Sequence, residues 1–230
     1  FKIWLRGFYQ DLIKKNPGIS GIEAVEPQVD YSWSKEADYN EESNVNFKIT
    51  YPNSTIGGKN WLKFRAAGLT NLIGIMSEVS HSFGKSSYVV QTWTAESTGK
   101  LMPHKTIAEH TGFDFDGILN LKGTQKVDYM MGEFMWQQWV AEHGFGLFFD
   151  PYAWTRSAAI FFRDFVGKRS NPIVHLEVSS FNSDFYNVSP TNEEFAASIL
   201  AIRSLGVGID VYDFAQIDQK KSWKQLKTWH

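Results

Sequence analysis

Gly21-Ile22-Glu23-Ala24-Val25-Glu26-Pro27 is a short run that ends on a carboxylate and a proline. Its length and its Ile, Ala and Val content read as a buried strand, and Pro27 stops the ladder because it has no N–H to donate. Before it, Phe1 to Lys15 places Ile3, Trp4, Phe8, Leu12 and Ile13 at helical spacing and halts at Asn16-Pro17-Gly18. After it, residues 28–58 are polar and broken by Pro52, Gly57 and Gly58. That stretch reads as a long excursion, with a hairpin expected around Asn46-Phe47-Lys48-Ile49-Thr50-Tyr51.

The same alternation continues downstream. Asn60 to Phe83 repeats Trp61, Phe64, Leu69, Leu72, Ile73, Met76 and Val79 on one helical side, and Ser86 to Ala95 follows as a strand. Beyond a loop with Met102-Pro103, Val127 to Trp139 is apolar and aromatic and reads as the third strand. Tyr152 to Val166 reads as a helix, Ile173 to Ser180 as a strand and Asn192 to Leu205 as a helix. Thr191 opens that last helix with Glu194 three residues on, a capping-box pattern. Val207 to Phe214 reads as the last strand, with a closing helix over Lys220 to Trp229.

Buried strands alternating with helices imply parallel pairing through right-handed crossovers. An open doubly wound sheet would advertise a Gly-rich strand-to-helix turn, and none is present. The expectation is therefore an α/β fold of the (β/α)8 TIM-barrel type, the chain supplying about the last five βα units as one catalytic domain over residues 1–230. Phe1 opens directly in a helix-like run, so the barrel's first strands are expected upstream of it.

Composition narrows the function classes. The 230 residues are 43% hydrophobic and 16% aromatic, ample for a large core. Lys and Arg total 23 against 25 Asp and Glu, a formal net charge of −2 that offers no footprint for nucleic acid. No run of about eighteen uncharged apolar residues exists, so no membrane span is expected. Cysteine is absent, which removes zinc–thiolate sites and a thiol nucleophile. His81, His104, His110 and His143 read as surface or loop residues without metal-binding spacing, and neither a metal nor a cofactor is expected. No GxSxG elbow or phosphate loop occurs, and Asp114-Phe115-Asp116-Gly117 reads as a turn.

In a barrel, chemistry sits at the C-terminal ends of strands. Those ends carry Glu23, Glu26 and Asp30; Gln91, Trp93 and Glu96; Glu133, Trp136, Gln137, Gln138 and Trp139; His175 and Glu177; Asp210, Tyr212 and Asp213. Buried carboxylates are costly unless paired or neutralised, so several near one rim point to chemistry. Paired carboxylates are what glycosidic cleavage requires: one protonates the leaving oxygen, the other attacks the anomeric carbon or activates water. Trp and Tyr faces stack on sugar rings, and Gln and Asp bind the hydroxyls. Trp93, Trp136, Gln137, Tyr212, Asp213 and Asp30 are the expected substrate-binding set.

The Glu26-Pro27 pair resembles the Glu-Pro pair that many retaining (β/α)8 glycoside hydrolases carry after barrel strand four. Trp61 through Trp93, with Phe64-Arg65 and Leu69-Thr70-Asn71-Leu72, is similar to the next helix and strand of hypothetical glycosyl-hydrolase barrels and exopolysaccharide-processing hydrolases. The resemblance implies a secreted, cell-surface or periplasmic glycoside hydrolase acting on a polysaccharide or oligosaccharide, with the upstream part of the barrel as its partner. It makes Glu26 the acid/base and Glu177 the nucleophile; the Glu133 strand has no counterpart in that class, and Glu133 stands in reserve as the second carboxylate. Val25 stands where the commonest families place Asn. The alternative reading is an inactive barrel that serves as a carbohydrate-binding or assembly module.

Overall fold

A computed structural model of the chain describes residues 1–29, 40–93, 95, 98–134, 150–177, 191–212, 217 and 223–227. The protein is α/β. Strands β1 (Gly21–Val25), β2 (Ser86–Thr92), β3 (Tyr129–Glu133), β4 (Asn171–Glu177) and β5 (Gly208–Tyr212) form one sheet in chain order, β1-β2-β3-β4-β5. The strands are parallel, and β4 and β5 pair with His175 opposite Asp210 and Glu177 opposite Tyr212. A doubly wound sheet reverses its strand order at a switch point. These five strands show no reversal, and the sheet is compatible with part of an α/β barrel. No helix among the described residues is long and apolar enough to cross a membrane.

The chain divides into two compact units, Phe1–Val89 with Pro103–Tyr129, and Val90–Met102 with Met130–His230. In the first unit, α1 (Lys2–Lys15), with Leu5 and Ile13 buried, packs on α3 (Lys59–Ser82). The far end of α3 is tied down by polar bonds: Ser77 Oγ lies 2.9 Å from Ser87 Oγ and donates to the Lys126 carbonyl.

The excursion after β1 holds a helix where a hairpin was expected. Helix α2 (Glu41–Thr50) starts at Asn40, whose side chain accepts from the Ser43 N–H at 2.8 Å. Phe47, on this helix, is 0% exposed and meets Trp61 edge-on at 5.1 Å and Phe64 at 5.6 Å. One deeply buried aromatic and a good N-cap outweigh the β-propensity of Ile49, Thr50 and Tyr51. Short helices also fill the stretch before β3, α4 (His104–Thr111) and α5 (Phe115–Leu119); the expected turn at 114–117 is the start of α5. His81 and His104 are not bare surface residues, since each lies within hydrogen-bond reach of a carboxylate, Asp128 and Asp116.

The second unit carries α6 (Pro151–Val166), α7 (Asn192–Arg203) and α8 (Trp223–Lys227). Asp150 caps α6 by accepting from the N–H groups of Tyr152 and Ala153, and Pro151 occupies the first turn, where its missing N–H costs nothing. Trp154, Ala158, Phe162 and Val166 recur at helical spacing and are buried. The capping box at the head of α7 is present: the Glu194 N–H donates to Thr191 Oγ1, and the Thr191 N–H donates to Glu194. Helices α6 and α7 meet around a buried Thr155–Ser198 hydroxyl pair at 3.1 Å.

Candidate functional site

Strand alternation decides which residues share a face. Gly132 and Phe134 point toward α6: a Cβ on Gly132 would meet Phe162 at 3.0 Å, and the Phe134 and Phe162 rings lie 5.6 Å apart. Glu133, between them, therefore faces away from the helix. It ends β3 at 8% exposure, and the Thr92 hydroxyl donates to its Oε2 at 2.9 Å.

Backbone bonds extend this pair into a row. The Trp93 N–H donates to the Glu133 carbonyl, which sets Thr92 level with Glu133. The Phe134 N–H donates to the His175 carbonyl, which sets Glu133 level with His175. His175 is in turn level with Asp210, and its Nδ1 lies 2.5 Å from Asp210 Oδ2. Thr92, Glu133, His175 and Asp210 thus form one polar row across β2 to β5, at the C-terminal ends of β2 and β3 and all within the second unit. The hydrogen bond from His175 holds the Asp210 carboxyl below the ordinary Asp range; partial burial opposes this, and the attraction of the ring and the Val211 N–H add to the lowering.

The expected site residues whose side chains are described fall into three groups. Glu133 lies in the row, and Tyr212 stands one step beyond it, 51% exposed with its ring 6.0 Å from that of His175. Trp93 lies on the opposite face from Thr92, 3% exposed. Its ring is edge-on to Phe162 and Phe165, and its Nε1–H donates to the Met102 carbonyl at 2.7 Å, so it serves the packing under α6. Glu26 follows β1 in the first unit at φ +41°, the one left-handed residue other than glycine among the described residues. A bulky side chain there is strained, and such strain clusters at functional sites.

Glu177 is the last residue of β4, and its side chain lies outside the described residues. Asp30, Trp136, Gln137 and Asp213 also lie outside them. Thr92 was not among the residues expected at the strand ends; His175 and Asp210 were named there without a role. The signal that finds them is register, which places a hydroxyl and an imidazole beside a buried carboxylate.

Among the described residues, no group of three or more His, Asp or Glu side chains is arranged to hold a metal ion. What the row offers is a buried carboxylate with a fixed hydroxyl donor, beside an imidazole held by a second carboxylate. Such an arrangement suits nucleophilic or acid–base work on a polar substrate. The sequence matches no protein-family model and no curated protein.

Proposed function

We propose that the protein is a glycoside hydrolase that cleaves a polysaccharide or oligosaccharide by a retaining two-carboxylate mechanism, and that its five strands are the last five of a (β/α)8 barrel. The observation that carries the reading is Glu133: a nearly buried carboxylate at the C-terminal end of a parallel strand, held by the Thr92 hydroxyl. A chain without chemistry to do gains little from a charge there. Glu133 takes the part of the carboxylate that attacks the anomeric carbon and forms the glycosyl-enzyme bond. Glu26 keeps the acid/base part through its resemblance to the Glu-Pro pair: it protonates the departing oxygen, then takes a proton from the water that releases the sugar. Tyr212, exposed beside His175, supplies a ring face for a sugar, and no cofactor enters the scheme.

The test is reducing-sugar release from a panel of polysaccharides by the wild type and by Glu133→Gln, Glu177→Gln and Glu26→Gln. Loss of turnover in Glu133→Gln with retained sugar binding is the expected result. Loss confined to Glu177→Gln would move the nucleophile to β4. Tyrosine or tryptophan fluorescence that responds to sugars, with no product from the wild type, would replace the enzyme with a carbohydrate-binding or assembly barrel.

A further inference from the structure

The row that holds Glu133 also holds a histidine that the mechanism above leaves idle. His175 and Glu133 are each 8% exposed. The bond from the Phe134 N–H to the His175 carbonyl puts them at one level of adjacent strands, on one face. Parallel strands lie about 4.8 Å apart, so an imidazole and a carboxylate in that relation interact at close range with little intervening water. Asp210 engages Nδ1 of His175 at 2.5 Å, which fixes the ring and favours its protonated form. Among the described residues, the titratable groups facing His175 are Glu133 from β3 and Asp210 and Tyr212 from β5, and Glu177 shares its strand. No Lys or Arg occurs in β2, β3, β4 or β5. His175 is the one cationic group those strands supply.

We infer that His175 is a positioning residue whose imidazolium, secured by Asp210, keeps Glu133 in its ionised form. The inference rests on the reading of Glu133 as the attacking carboxylate, for which the ionised form is the working state. The rival role is a structural pin between β4 and β5. A pin adds stability but leaves the titration of Glu133 where it was.

The experiment is a carbon-13 NMR titration of the Glu133 side-chain carboxyl in the whole chain, the signal assigned by its loss in Glu133→Gln. In His175→Gln the midpoint is expected to rise by about one pH unit or more, the size of losing an opposite charge at this range. In Asp210→Asn it does not rise, because an ordinary imidazole is still protonated where a carboxyl titrates and one nearby anion has been removed. An unchanged midpoint in His175→Gln overturns the inference, whether or not the wild type releases sugar. A shifted midpoint in a protein that cleaves no sugar upholds the inference and removes the glycosidase reading. Should His175→Gln fail to fold, His175→Asn puts a smaller neutral amide in the ring's place and is read in the same way.

Discussion

His81 and Asp128 are joined by an Nε2–Oδ2 contact of 2.7 Å that ties the last turn of α3 to the residue preceding β3. The same carboxylate oxygen accepts from the Ser87 N–H at 2.9 Å, so β2 is fastened at the same point. These bonds lie at the N-terminal ends of β2 and β3. Burial pushes the Asp128 carboxyl up, but the bonds from His81 and Ser87 outweigh it and the net direction is down. A carboxyl lowered on folding stabilises the protein above its unfolded value, near 4, and that contribution is lost as pH falls through the folded value. Asp128→Asn is expected to cost about 1–3 kcal/mol at neutral pH, read by urea unfolding. The difference from wild type should shrink below pH 4. A constant difference down to pH 3 would refute the linkage.

Thr92→Val removes the donor to Glu133 while keeping the side-chain shape. A hydrogen bond to a charged group is worth about 1.5–3 kcal/mol, and its loss leaves a nearly buried carboxylate less well satisfied. The expected outcome is destabilisation of that size together with a fall in kcat on any sugar the protein cleaves, both restored in Thr92→Ser. Full stability in the valine variant would mean that Glu133 does not depend on this hydroxyl.

The fold was legible where each local signal agreed with the next. Asn16-Pro17-Gly18 marked the end of α1, Thr191 and Glu194 marked the head of α7, and the buried runs marked five strands. The sequence misled at Phe47-Lys48-Ile49-Thr50-Tyr51, where residues that favour strands follow a strong N-cap and a tertiary contact settles the conformation. At the site, Glu133 stood out as a charge in an apolar run. Trp93 was expected in the sugar-binding set, yet strand alternation turns it toward α6 and leaves its neighbour Thr92 on the Glu133 face. Thr92 joins the site, and His175 gains its role there, through cross-strand register, which depends on pairings between segments distant in sequence.

The Arg6–Glu78 pair looks like a strong link between α1 and α3, with two bonds of 2.7 and 2.9 Å. Its side chains are 40% and 33% exposed, so solvent screens the attraction. Glu78→Gln should cost less than about 1 kcal/mol, and less again in high salt. Trp61→Ala in the same unit, at a fully buried ring, should cost about 3–5 kcal/mol. Guanidinium unfolding of both variants checks the ranking; a larger loss from Glu78→Gln would reverse the order of forces assigned to this unit.

Gly132→Ala places a single methyl where β3 approaches α6. The new Cβ would lie 2.8 Å from Cζ of Phe134 and 3.0 Å from Cε2 of Phe162. Neither ring has room to yield: Phe134 is 1% exposed, and the fully buried Phe162 is also met edge-on by Trp93. Alanine in a strand would ordinarily gain about 0.5–1 kcal/mol over glycine. Overpacking costs about 1–3 kcal/mol, so the net effect should be a loss. Phe162→Leu removes the obstructing edge, and the double variant should be more stable than the sum of the two single losses predicts. Glu133, facing the other way, should keep its bond to Thr92, so sugar binding should change less than the midpoint of thermal unfolding. Additive losses would show that the methyl is resisted by something other than the Phe162 ring.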